Sequence, residues 1–265
     1  MTAMNALRII EWLLLAALLA LTLSGCGKNE KEPTPTEPPI LDAEIQSVEE
    51  IPMETTIPEP DKAPVLLYMG QASMRIVTPE NKVIYIDPYA GDAYELPADL
   101  ILVTHDHFDH CAVDRVENRS DDCVIITQEE ALENGKHQVY ELDYVTVEAV
   151  EAGYNRWHDV RDCVGYVLTF SNGVSLYVTG DTSTTKQMAE MSEMNIDYAF
   201  FCCDGVYNMG LEEAAHCAEL VGAKYNIPYH NSTSNRGEMF DRELAEHFEA
   251  SNRLIVYPGE ELELK

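Results

Sequence analysis

Thr104-His105-Asp106-His107-Phe108-Asp109-His110 follows directly on the apolar run Leu100-Ile101-Leu102-Val103, and this junction decides how the chain is read. Histidine and aspartate resist burial unless they are paired or bound to a metal, so the cluster adds nothing to a core. In an extended segment residues two apart point the same way, which lets His105 and His107 grip one cation. A turn into helix near Phe108 would swing Asp109 and His110 toward a second, adjacent cation. Neutral imidazole and carboxylate are the usual ligands of zinc and its first-row neighbours. The competing reading is a solvated His/Asp loop whose pattern arose by chance.

Other segments fall into place around the junction. Upstream stand Tyr68-Met69-Gly70-Gln71-Ala72-Ser73 and Ile84-Tyr85-Ile86-Asp87-Pro88. Downstream come Tyr177-Val178-Thr179-Gly180-Asp181-Thr182, then Met209-Gly210-Leu211-Glu212-Glu213-Ala214, Ile227-Pro228-Tyr229-His230 and Tyr257-Pro258-Gly259-Glu260-Glu261-Leu262. His-x-His-x-Asp-His after a buried strand resembles the metallo-β-lactamase superfamily. The further segments, in that order over residues 64–265, resemble its lactonase-like and N-acyl-phosphatidylethanolamine phospholipase D-like branch. The resemblance implies an α/β domain, a four-layer αβ/βα sandwich with its site at one sheet edge. Alternating strand and helix patterns agree, with buried strands expected at Val124-Ile125-Ile126 and Tyr198-Ala199-Phe200-Phe201 and helices at 211–221 and 242–250.

The same resemblance supplies a ligand set. His105, His107 and His158 hold a first metal, Asp109, His110 and His230 a second, and Asp181 bridges them. Gly180 lacks a Cβ and lets its strand end lie close to such a centre. Asp181 also reads as a helix cap ahead of Lys186-Gln187-Met188-Ala189. His158, in Tyr154-Asn155-Arg156-Trp157-His158, precedes the hairpin formed by residues 164–170, a turn at Ser171-Asn172-Gly173 and residues 174–179. His137, in Asn134-Gly135-Lys136-His137, reads as a solvated turn residue, and His216 and His247 as ordinary helix residues. Tyr154, Asn155 and Asn231 lie beside ligands and are candidate substrate contacts. Gln71 departs from the Gly-His-Ala-Ser usual in the family, which bears on support of the metals or on substrate choice. Cys111 is a small buried residue or a soft extra ligand.

The N-terminus addresses location. Arg8, the apolar stretch from Trp12 to Leu21 and Leu23-Ser24-Gly25-Cys26 describe a secretory signal over residues 1–25. The cysteine after Leu-Ser-Gly resembles a bacterial lipobox, so Cys26 is expected to carry palmitate or a related acyl chain. An uncleaved membrane anchor is the competing reading. Residues 26–63, rich in Pro, Glu and Thr, read as a disordered acidic linker, and residues 64–265 as one hydrolase domain. With 47 acidic against 17 basic residues the formal charge is −30, which disfavours nucleic acid as a partner. Seven cysteines, one of them Cys26, are scattered and imply no disulfide framework.

These readings converge on an extracytoplasmic, membrane-tethered hydrolase with two divalent metal ions, zinc first, manganese or iron as alternatives. A hydroxide bridging the pair would attack an ester, lactone or phosphodiester of a small molecule or lipid, with Asp109 and Asp181 as catalytic carboxylates. The alternative is a non-catalytic metal- or solute-binding lipoprotein, which needs no bridging Asp181.

Overall fold

Between Val65 and Leu102 the apolar side chains alternate in facing, the mark of strands covered on both faces. The computed structural model, which describes residues 62–234 and 239–265, folds this stretch into β1 (Val65–Gly70), β2 (Ser73–Val77), β3 (Val83–Ile86) and β4 (Ala98–Leu102). β5 (Arg119–Ile126), the short helix α1 (Gln128–Ala131) and a small hairpin of β6 (Leu132–Glu133) and β7 (Lys136–His137) follow. Next come β8 (Val139–Leu142), β9 (Val145–Glu151), β10 (Val164–Phe170), β11 (Ser175–Val178), β12 (Tyr198–Cys202), helix α2 (Leu211–Val221) and β13 (Tyr225–Tyr229). Helix α3 (Arg242–Glu246) and β14 (Glu261–Glu263) close the chain.

Two six-stranded sheets result, in the orders β14-β1-β2-β3-β4-β5 and β13-β12-β11-β10-β9-β8. On the first, Leu66, Tyr68, Met74, Ile76, Ile84 and Leu100 enter a core shared with Val147, Tyr166, Leu168, Leu176 and Phe200 of the second. Met69, Val83, Tyr85 and Ile101 pack on the opposite face. Each fully buried Leu or Ile contributes about 1.5–3 kcal/mol of transfer free energy. Tyr166 also ties the sheets together, its hydroxyl donating to the Val103 carbonyl at 2.9 Å. This is the mixed α/β metallo-β-lactamase fold, with slight helical cover.

Three local expectations need correction. The chain after Phe108 forms turns, with His110 N donating to His107 O at 3.0 Å, and a 3-10 helix follows only at Val113–Arg115. Ile125 is 36% exposed because β5 is an edge strand of its sheet. Helix α3 stops at Glu246, since His247 leaves helical geometry and its ring turns back to the Glu243 carbonyl. Among the described residues no helix is long and apolar enough to cross a membrane. The signal segment, Cys26 and the linker up to residue 61 lie outside the described residues.

β3, β4 and β5 run parallel, as do β11, β12 and β13. The C-terminal ends of such strands are where open α/β sheets place their ligands. Here Asp87 follows β3, His105 follows β4, Asp181 follows β11 and His230 follows β13.

Candidate metal centre

The buried strand β4 leads into a segment fixed by one carboxylate. Asp87, fully buried, accepts from Thr104 N and Thr104 Oγ1, each at 2.8 Å, and its Oδ2 lies 2.8 Å from His110 Nδ1. An ionised carboxylate only accepts, so the His110 proton sits on Nδ1 and leaves Nε2 to face the cavity. On the other sheet Gly180 brings Asp181 in. With φ +61, a Cβ there would stand 2.6 Å from the Val164 carbonyl and 3.1 Å from Thr104 Cβ. No larger residue fits where the two sheet ends meet.

His158 is oriented by a different device. Asn155 Oδ1 accepts from Trp157 N at 2.9 Å and His158 N at 3.0 Å, which identifies it as the oxygen of the amide. It lies 3.1 Å from His158 Nδ1, so that nitrogen donates and Nε2 points inward.

The inward-facing atoms gather into the two groups read from the sequence. His105, His107 and His158 form one, and Asp109, His110 and His230 the other, each with its ligand atoms within 4.8 Å of one another. His158 Nε2 lies 3.2 Å from His107 Nδ1, and His110 Nε2 lies 3.2 Å from His230 Nε2. Asp181 stands between the groups. Its Oδ2 is 3.3 Å from His158 Nε2, and its Oδ1 is 3.4 Å from His110 Nε2 and 3.3 Å from His230 Nε2. Zinc–nitrogen bonds of about 2.1 Å put tetrahedral ligand atoms about 3.4 Å apart, so these spacings fit the edges of coordination polyhedra. His105 Nε2 and Asp181 Oδ1 are buried without a hydrogen-bond partner, which a bound cation would remedy. The residues present fit divalent cations.

Electrostatics agree. Burial holds the His105 imidazole well below its usual range, helped by the neighbouring His110, and burial also lowers His107. Both stay neutral, as a ligand must. Burial opposes protonation of His110 too, but the Asp181 and Asp87 carboxylates outweigh it and raise that imidazole well above its usual range. Burial likewise opposes ionisation of Asp181, and His230 and His110 override it, so its carboxyl falls well below the carboxylate range.

Gln71 occupies the position where the family usually has His. Only 1% exposed and at φ 50, it donates through Nε2 to Asp109 Oδ2 at 2.9 Å, and Nε2 lies 3.3 Å from His230 Nε2. Its carbonyl receives His230 N at 3.1 Å, so one residue braces two members of the second group.

The candidate substrate contacts stand elsewhere. Tyr154 lines a separate cavity with His137, Glu151 and Arg161. Asn155 serves His158, as described. Asn231 is fully buried and clasps Asp241 through both ends of its amide, at 2.7 and 2.9 Å. His137 lies on β7 rather than in a solvated turn, and its Nε2 is buried. Cys111 donates to the Asp106 carbonyl and belongs to neither ligand group, and all six described cysteines are unpaired. Asp181 caps no helix; Thr182 instead donates to the Gly153 and Ser183 carbonyls. The cavity of about 260 Å³ over the two groups is lined by Gln71, His107, Phe108, Asp109, Trp157, His158, Asp181, Tyr207, His230, Ser232 and Thr233. The sequence reading missed Asp87, Trp157 and Tyr207 as parts of this site. An Asp ending an apolar strand beside the His/Asp segment was the available signal for the first.

Residues 65–230 match the family described as beta-lactamase superfamily domain. A protein from Thermococcus onnurineus described as a UPF0173 metal-dependent hydrolase is 31% identical over 226 residues, covering 74% of this chain and 98% of that one. Another with the same description, from Rubrobacter xylanophilus, is 28% identical over 230 residues, covering 74% and 95%. A crystal structure from Parabacteroides distasonis, of a protein described as a metal-dependent hydrolase, superimposes with a TM-score of 0.58 at 27% identity. It covers 72% of this chain and 92% of its own.

Proposed function

The chain belongs to the beta-lactamase superfamily domain family, and from that membership we propose that it is a metal-dependent hydrolase working with two divalent cations on an ester, lactone or phosphodiester. The observation that carries this reading is the Asp181 carboxylate, with one oxygen toward each imidazole group. A single-ion binding module has no use for that placement. The all-nitrogen-and-oxygen donor set suits zinc, with manganese or iron as alternatives.

When bound, such cations supply Lewis acidity and an activated water at neutral pH. The chain does the rest. His105, His107 and His158 would hold one position, and Asp109, His110 and His230 the other. Gln71 keeps Asp109 turned toward the cavity, where that carboxylate can take a proton from the attacking water and pass it to the leaving oxygen. Asp87 and Asn155 hold the rings of His110 and His158 in the required tautomers.

Arg8, the apolar stretch that follows and Leu23-Ser24-Gly25-Cys26 support an extracytoplasmic enzyme tethered by an acylated Cys26. Full-length protein should partition into detergent, and Cys26→Ser should abolish both acylation and partitioning. For the activity, protein purified without chelator is analysed for metal and assayed on ester, lactone, phosphodiester and β-lactam panels. Close to two equivalents with turnover on one panel is the expected result. Metal without turnover on any of them would favour the binding lipoprotein instead.

A further inference from the structure

The walls of the cavity, rather than its floor, speak to the substrate. Phe108, Trp157 and Tyr207 line the same cavity as His107, Asp109 and Asp181, yet are 61%, 43% and 45% exposed. Exposed aromatics on a solvated loop are usually loose; these are fastened. Trp157 donates its indole N–H to the Val206 carbonyl at 3.2 Å, and its ring meets Tyr207 at 5.5 Å and 60°. The Arg156 guanidinium covers the indole at 4.1 Å from the ring centroid. Tyr207 is held from below by Asp204, which is buried and accepts from Val206 N and Tyr207 N, each at 2.7 Å, while Asn208 Nδ2 bonds its other oxygen at 2.8 Å. Phe108, also in the lining, meets Tyr89 edge-on at 5.7 Å.

Apolar surface held rigid in water beside a polar floor favours a ligand whose own apolar part displaces that water. The cavity volume, about 260 Å³, lies near the lower end of small-molecule sites, about 300–1,000 Å³, so the group that fits is modest. Resting on the hydrolase reading above, we propose that the site takes a small ester or lactone whose carbonyl lies over Asp109 and Asp181 and whose short acyl chain or single ring lies against Trp157 and Tyr207. In that reaction water adds to the acyl carbon and the bond to the alkoxy oxygen breaks. One proton of the water passes through Asp109 to the departing alcohol, and a carboxylic acid remains.

The test uses full-length, zinc-supplemented protein and p-nitrophenyl esters from acetate to octanoate. kcat/KM should rise about two- to fourfold per methylene over the first additions, through KM, as apolar burial predicts. Trp157→Ala and Tyr207→Ala should flatten the series while metal content stays at the wild-type value, which a purely structural defect would not do. Turnover with no chain-length dependence in the wild type, or a series unchanged in both variants, would overturn the proposal. Turnover of a phosphodiester or β-lactam but of no ester or lactone would overturn the proposal and leave the hydrolase reading standing, whereas turnover on none of the four panels would remove both. A second measurement is independent of catalysis. The chain has 2 tryptophans, Trp12 in the signal segment and Trp157, so processed protein, or unprocessed protein carrying Trp12→Phe, has Trp157 as its sole indole. Octanoate should quench or shift that emission at concentrations where acetate does not, and identical responses to the two acids would count against the apolar wall.

Discussion

The floor and the wall of one cavity are built on opposite terms. His105, His110, His158, Asp181 and His230 are at most 4% exposed and mostly stand at or near the ends of core strands, with His110 oriented by the buried Asp87 and His158 by the half-buried Asn155. Trp157 and Tyr207 are more than 40% exposed, stand on loops, and are held by Asx-type turns at Asn155 and Asp204. The difference teaches where each property resides. Cation geometry is set by the packed sheets and tolerates little displacement, whereas selection of the substrate lies in loops that can change without disturbing them.

That contrast can be broken most sharply at Asp181. Asp181→Ala should lower bound metal from about two equivalents to one or fewer and cut kcat/KM by roughly three orders of magnitude, or ~4 kcal/mol of barrier. Metal analysis and steady-state kinetics would show it, and wild-type metal content in this variant would end the shared-carboxylate account. His158→Ala should cost about one equivalent and most of the activity, whereas His137→Ala, in its separate cavity, should leave both nearly intact. Asp87→Asn should weaken metal affinity or activity about 10–100-fold while touching no cation, because it releases the His110 ring. A competition titration against a chelator measures that directly.

Cation binding also carries a proton signature. Burial opposes protonation of His110, but the Asp181 and Asp87 carboxylates outweigh it and raise the imidazole well above its usual range. A ligand must be deprotonated, so loading at pH 7 should release about one proton, and affinity should climb as pH rises toward that raised value. Calorimetry in buffers of different ionisation enthalpy counts it, and zero release would contradict the assignment. The smallest effect belongs to the wall. Phe108→Ala should raise KM for an apolar ester by less than about tenfold with metal content unchanged. Lost metal there would merge the two regions into one.

Legibility followed the same divide. Four ligands stood in one heptapeptide after an apolar strand, and Asp181 and His230 each followed a strand, so period and position exposed them. Asp87 follows an apolar strand as the ligands do, but an Asp before Pro reads equally as a turn, so that signal alone did not reveal its task. The service of Asn155 to His158 was not legible, since it depends on a backbone turn invisible in composition. The wall was hidden for a topological reason. Trp157 and Val206 are 49 residues apart, and it is the folded sheet that brings their loops together. The helix expected at 242–250 was too long because the His247 ring turned back on the Glu243 carbonyl, whereas that at 211–221 kept its expected bounds.

Each ligand group draws on both sheets, and this has a consequence in time. His110 and His230 lie 120 residues apart, so at about 5–20 residues per second the ribosome needs roughly 6–24 s to deliver the second after the first. Throughout that interval the nascent chain presents His105, His107, Asp109 and His110 as an incomplete chelator. Such a fragment follows the ordinary affinity order of divalent ions, in which copper outranks zinc, and has no geometry with which to resist it. Discrimination begins only when β13 docks, so the metal the finished enzyme keeps is decided by the ions around the completed domain.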